Sequence, residues 1–258
     1  MNAPPLGLAP GDFAWIMANS GLDQPEPPRV VPWSAKAGGK FQVEAVLVVP
    51  SHYSWRYHPS LAPVSNQGRT ATCVAHAACR MLETHFRQQG QTRHLNADCA
   101  HQCVYGYPCT MPAAQASNVL DDLRDKGAPQ APGFIAGNAC PADADLGLVA
   151  VPRFDRANTI AAVKAHLATT GPVLAVMTMD GGFEHLAAPF VYAGPQPGAP
   201  TFNHAVMLIG YDDQDHGGMW LCQNSFGTGW GDEGLFRISY AAAGLEQDDL
   251  HAAFLLRN

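Results

Sequence analysis

The sequence predicts an α+β fold rich in loops, with helices crowding its first half and short strands its second. Three observations predict it. Helical periodicity is concentrated between Cys73 and Thr169. Beyond Pro172 the apolar runs shorten to strand length and are separated by turn residues. The 25 glycines and 21 prolines favour many turns and irregular connections over long uninterrupted helices.

Taken in order, residues 1 to 40 hold Pro4, Pro5, Pro10, Pro25, Pro27, Pro28 and Pro32 and show no sustained periodicity. They read as an extended leader with at most one short helix around Asp12 to Asn19. Phe41 to Val49 has the Val and Phe density of a strand, and Pro50 ends it. From Cys73 the positions Val74, Ala77, Ala78, Met81, Leu82, His85 and Phe86 return every three or four residues, with Thr72 ahead as N-cap. Further helices are predicted over Ala113 to Lys126, closed by Gly127 and Pro129, and over Thr159 to Thr169, closed by Gly171 and Pro172. Strands follow at Val173 to Thr178, Phe190 to Ala193, Ala205 to Tyr211, Met219 to Asn224 and Leu235 to Ser239. The chain thus divides into a leader, 1–47, a helical part, 48–150, and a β-rich part, 151–258.

Composition narrows the function classes. With 47% apolar and 14% charged residues, the chain is long enough to bury a sizeable core. A net charge of -7 and the lack of any Lys/Arg-rich run make nucleic acid a poor partner. No stretch approaches the roughly 20 apolar residues of a membrane helix. Met1 to Gly21 carries no basic residue ahead of an apolar block and does not read as a signal peptide. That leaves a cytoplasmic protein, export by another route, or a chain given without its signal.

Cys73 is placed at the first turn of the central helix, where backbone N–H groups and the helix dipole favour an anion and lower a thiol pKa. An ordinary thiol, at roughly 8.5, is only slightly ionised near neutrality, so an imidazole is needed to complete its activation. Position alone fits a small buried apolar residue equally well. The surroundings decide. Pro63-Val64-Ser65-Asn66-Gln67-Gly68 precedes Cys73, which stands six residues after Gln67. Near the other end lies Asn203-His204-Ala205-Val206-Met207-Leu208-Ile209-Gly210-Tyr211, followed by Asn224-Ser225-Phe226-Gly227-Thr228-Gly229-Trp230-Gly231.

These three blocks, in this order, resemble those of the papain-like cysteine peptidases. The opening Val49-Pro50-x-x-Tyr53-Ser54-Trp55-Arg56, the Gly171-Pro172-Val173 turn and the Gly181 to Phe183 stretch fit as well, so the resemblance runs from about residue 48 to the end. It implies a two-lobed fold, with a helical lobe carrying Cys73, a barrel-like β lobe carrying His204, and the active site in the cleft between them. It assigns Cys73 as nucleophile, His204 as base, Asn224 as orienter of the imidazole, and Gln67 with the Cys73 N–H as oxyanion donors. No metal or organic cofactor is implied, and the partners are peptide or protein substrates and protein inhibitors.

The departures are informative. Val74 stands where the family has Trp after the nucleophile, Thr70-Ala71-Thr72 replaces Cys-Gly-Ser, and Phe226 replaces the Trp covering the Asn and His pair. The family's Gly-Gly after Cys109 is Met111-Pro112, and proline has no N–H to offer an extended peptide. Restricted specificity is expected. Phe202, Ala205, Val176 and Ala113 are expected to line the pocket for the side chain two before the scissile bond, giving an apolar preference, with Asn203, Phe226 and Trp230 also facing substrate.

For the remaining cysteines the resemblance suggests a Cys99–Cys140 pairing, with Cys103 and Cys109 as a local bridge. Reduced thiols and a zinc site including His101 stay open, although no C-x2-C knuckle is present. The leader is too short and Pro-rich for the family's helical propeptide, so Pro25 to Trp33 is read as lying along the cleft, bracing the lobes, or doing neither. Beside hydrolysis stand two alternatives: transpeptidation, acyl transfer or precursor maturation through the same acyl-enzyme, and a pseudo-enzyme that only binds peptide.

Overall fold

The computed structural model describes residues 29–37, 40–105, 115–130, 148–157, 159–243 and 253–257. They fall into two compact units, one ending at Ser51 and one beginning at His52. The first contains a hairpin in which β1 (Arg29–Ala37) pairs antiparallel with β2 (Lys40–Val48), Trp33 opposite Glu44. The strand expected from Phe41 is present. Its partner β1 extends into the Pro-rich leader, with Pro32 tolerated because a two-stranded ribbon leaves one edge of each strand without a ladder. Asp12 to Asn19 and Pro25 to Pro28 lie outside the described residues.

The second unit is built on a mixed sheet. After the short β3 (His52–Ser54) come helices α1 (Cys73–Gln88), α2 (Ala97–Tyr105) and α3 (Ala116–Lys126), then the two-residue strands β4 (Ala128–Pro129) and β5 (Leu148–Val149). There follow β6 (Arg153–Ala157), α4 (Ile160–Thr169), β7 (Val173–Asp180), a 3₁₀ turn (Gly181–His185) and β8 (Val191–Tyr192). The chain continues through β9 (Thr201–Asp212), β10 (Met219–Gln223), β11 (Leu235–Ser239), α5 (Tyr240–Ala243) and β12 (Ala253–Arg257). The sheet order is β6-β12-β7-β9-β10-β11-β8, with β3 added to β9. Its pairings are antiparallel except β11 with β8.

Strand β9 is the spine of this unit. From His204 to Tyr211 every residue is buried, because β7 and β10 flank it and α1 packs across it. The continuous apolar run, without polar alternation, is what a strand covered on both faces requires. Gly210 lets β3 cross here: a Cβ at this position would lie 2.5 Å from the Tyr53 carbonyl oxygen. Helix α1 is buried along nearly its whole length, and its Leu82 and Met81 join Leu208, Ile209, Trp220 and Phe236 in the core. Each such side chain contributes about 1.5–3 kcal/mol by leaving water.

Some expectations shift. Thr72 is the N-cap residue of α1, but its hydroxyl makes no cap hydrogen bond and turns instead to Asp98 and Thr70. Thr159 does cap α4, accepting from the Ala162 N–H at 3.0 Å. The helix predicted from Ala113 is seen from Ala116 and ends at Gly127, whose φ of 90° suits only glycine well. Helix α2 and strands β6 and β12 were not expected.

Candidate active site

Three segments bring the predicted residues together. Cys73 opens α1, His204 sits in β9 opposite Met177 of β7, and Asn224 directly follows β10. All three side chains are buried, at 5%, 2% and 2% exposure. His204 Nε2 donates to Asn224 Oδ1 at 2.8 Å, which leaves Nδ1 as the nitrogen available to the thiol. Asn224 Oδ1 also accepts the Ser225 N–H at 2.8 Å, so the amide cannot turn its nitrogen toward the imidazole without losing both bonds.

Electrostatics divide the proton unevenly. Burial pushes the Cys73 thiol up, but the hydrogen bond and charge of His204, helped by the Ala205 and Val74 backbone, bring it below its ordinary value. Burial pushes His204 down, while the hydrogen bond and charge of Cys73 and the bond to Asn224 raise it above the ordinary imidazole range. The two shifts favour one arrangement: thiolate beside imidazolium.

Gln67 approaches from the loop before α1. Asn66 bridges to Phe226, and the Gln67 N–H donates to the Ser225 carbonyl at 2.8 Å. Its side-chain Nε2 donates to the Thr70 carbonyl at 2.7 Å, and its Oε1 accepts from Ser225 Oγ at 2.5 Å. Both ends of the amide are therefore fixed in sense, and one Nε2 hydrogen remains to donate elsewhere. Sequence reasoning missed Ser225 and Thr70 as the groups that hold Gln67. Ser225 lies inside the Asn-Ser string, but nothing in that string says where its hydroxyl points.

Aromatic rings close the other side. Phe226 and the fully buried Phe183 stand 5.1 and 5.7 Å from the His204 ring. Trp230 packs 5.5 Å from Phe226 and donates its Nε1 hydrogen to the Glu184 carbonyl at 3.0 Å. The imidazole thus works in an apolar collar that keeps water from its bond to Asn224.

The expected substrate-facing residues separate. Val176 lies opposite Ala205 in the register of β7 and β9, so these two share a face of the sheet. Phe202 lies opposite Met179, at the alternate register position, and is 56% exposed. Asn203 is exposed as well. Met111, Pro112 and Ala113 lie outside the described residues, as do Cys109 and Cys140. Cys99 is disulfide-bonded, which removes it from any zinc set, and among the described residues no cluster of His, Cys, Asp and Glu is placed to hold a metal. Cys79 and Cys222 are free and buried.

Comparison with known proteins bears on the family and the fold. The family model described as papain family cysteine protease matches residues 49–252. A cathepsin L-like peptidase of Aedes aegypti is 28% identical, covering 76% of this chain and 60% of that protein. Mouse procathepsin L is 27% identical, covering 79% and 64%. The chain therefore spans a little under two thirds of the length of these curated relatives. Among solved structures, the bromelain protease of Ananas comosus in complex with the E64 inhibitor superposes with a TM-score of 0.61 at 21% identity, covering 81% of this chain and 99% of that one. Xylellain, a cysteine protease from Xylella fastidiosa, gives 0.66 at 17% identity, with 82% and 87% covered, and both share the fold.

Proposed function

Because the chain belongs to the papain family of cysteine proteases, we propose that it hydrolyses peptide bonds through a thioester acyl-enzyme on Cys73. The Cys73 thiolate attacks the scissile carbonyl carbon, and the carbonyl oxygen becomes an oxyanion. That oxyanion accepts from the remaining Gln67 Nε2 hydrogen and from the Cys73 N–H. His204 passes its proton to the leaving amine, the C–N bond breaks, and a thioester remains. His204 then takes a proton from water, which attacks the thioester and releases the acid. Asn224 keeps the imidazole turned to serve both steps.

The observation that carries this reading is geometric: Cys73, 5% exposed, opens α1 with its thiol hydrogen-bonded to an imidazole that Asn224 holds at 2.8 Å, and that contact is what lowers the thiol and raises the imidazole. Burial alone would hold such a thiol protonated and inert. The finer part of the proposal is restricted specificity with an apolar preference two residues before the scissile bond. Val176 and Ala205, paired across β7 and β9, support an apolar wall, and Met111-Pro112 in place of two glycines supports a narrowed approach.

E64, the inhibitor bound in the bromelain structure, provides the test. It is expected to label Cys73 of the wild type and not of His204→Ala, and a peptide library is expected to be cut at a small subset of sites. No labelling and no cleavage would end the proposal. Indiscriminate cleavage would end the specificity part alone, and products capped by an added amine in preference to water would replace hydrolysis with acyl transfer.

A further inference from the structure

One helical turn beyond Cys73, α1 carries a second buried imidazole that the proposed reaction does not use. His76 is 7% exposed. Its Nδ1 lies 3.0 Å from Ser65 Oγ, and its Nε2 lies 3.5 Å from Asp98 Oδ1 in the first turn of α2. Asp98 also accepts from Thr72 Oγ1 at 3.2 Å. Thr72 Oγ1 is 2.7 Å from Thr70 Oγ1, and the Thr70 hydroxyl donates to the Gln67 carbonyl at 2.6 Å.

This chain of contacts begins at Ser65 and returns to Gln67, two residues away. Both ends of the loop that carries the amide are therefore tied to the helix that carries the thiol, through hydrogen bonds at Ser65, Thr70 and Thr72 and through the 3.5 Å approach of His76 Nε2 to Asp98, which is a contact and not a hydrogen bond. The imidazole beside Asp98 is the first reason its carboxyl lies below the usual carboxylate range. On its opposite face the same loop is held by β10 and the turn after it, the Ser65 carbonyl accepting the Gly227 N–H at 2.9 Å. His76, Ser65, Arg80, Asn224 and Ser225 line one small pocket. An apolar side chain would fill that position on α1 without leaving a buried ring nitrogen short of a hydrogen bond. A buried polar group that core packing does not require is most economically explained by what it positions.

We propose that His76, held between Ser65 and Asp98, is a positioning residue for the Gln67 amide, fixing its height against Cys73 so that it meets the oxyanion in the transition state. The inference rests on the peptidase reading for its catalytic consequence. It assigns His76 no proton transfer and no contact with substrate.

The test uses the full chain and three measurements on each variant: turnover of a peptide amide, affinity for a peptide aldehyde, and the rate at which iodoacetamide alkylates Cys73. The aldehyde adds to the thiol and places an oxyanion before Gln67, whereas alkylation develops none. His76→Phe is expected to lower kcat about tenfold with KM within about twofold, to weaken the aldehyde by a similar factor, and to leave alkylation unchanged. In a Gln67→Ala background the same substitution is expected to cost nothing further, because the group it positions is gone. Losses that multiply in the double variant, or alkylation that slows in step with kcat, would overturn the inference. So would unchanged kcat and aldehyde affinity in a folded variant. Should His76→Phe fail to fold, Ser65→Ala cuts the same connection at its other end and is held to the same outcomes. A wild type that is alkylated but cleaves no peptide refutes the peptidase reading, and aldehyde affinity then still decides the role of His76.

Discussion

At Cys73 two effects of opposite sign act on one sulfur, and the balance is set by one neighbour. Because His204 supplies both leading contributions that lower the thiol pKa, alkylation should reach its plateau below the pH at which an ordinary thiol ionises. Hydrolysis should follow a bell, rising as the thiol loses its proton and falling as pH climbs through the raised His204 value. In His204→Ala only burial and weak backbone donors remain, and the alkylation curve should move to alkaline pH. A curve that stays put would mean the imidazole does not set the thiolate. Gln67→Ala should lower kcat about a hundredfold, roughly 3 kcal/mol in the barrier, for one lost oxyanion donor. Ser225→Ala leaves the donor but frees its far end, and about a tenfold loss in kcat with little change in KM is expected. That Cys73, His204, Asn224 and Gln67 would be brought together was legible because each lies in a local string with fixed spacing. Ser225, Thr70 and His76 were not, since their importance lies in where a hydroxyl or a ring nitrogen points, and hydrogen-bond direction leaves no period in a sequence.

At the scale of elements, legibility follows the strength of the periodic signal. Helix α1 repeats apolar residues every three or four positions, and β11 was bounded to the residue. Helix α2 escaped notice because Ala-Asp-Cys-Ala-His-Gln-Cys mixes small, polar and sulfur-bearing residues, and burial against α1 rather than propensity makes it a helix. Strand β6 reads Arg-Phe-Asp-Arg-Ala and looks like a charged loop until β12 pairs with it. Inside α1, Arg80 donates to buried Glu83 at 2.7 Å and to the Leu95 carbonyl at 3.1 Å, while Glu83 accepts the Leu95 N–H at 2.7 Å. These bonds fix the chain entering α2, which carries Asp98. Burial already pushes the Glu83 carboxyl up, so removing its cation strands a charge in the core. Arg80→Ala should therefore destabilise by about 3–5 kcal/mol in urea unfolding. A loss below about 1 kcal/mol would show that Glu83 simply accepts a proton instead.

Over the whole molecule, the site exists only because residues 67, 73, 204 and 224 are carried to one point by a loop, a helix and two strands of the sheet. The same architecture sorts its thiols. Cys79 and Cys222 are fully buried, with the Cys79 thiol pushed up to about 12 and Cys222 raised well above its ordinary value, both chiefly by burial. Cys73 alone of these three is lowered, and it alone keeps some exposure, 5% against none. Brief iodoacetamide treatment of the native protein at neutral pH, read by peptide mass spectrometry, should mark Cys73 and spare Cys79 and Cys222, with all three marked after unfolding. Equal labelling of Cys79 in the folded state would show that α1 opens as readily as the site reacts. Cys99 adds a second, independent readout, because it is disulfide-bonded and stands next to Asp98 in α2. Reduction strong enough to cleave that bond should lower stability by about 2–4 kcal/mol. It should leave Cys73 alkylation nearly unchanged while weakening an aldehyde inhibitor, since the loosened helix bears on the oxyanion loop through Thr72 and His76 and not on the bond between His204 and Asn224.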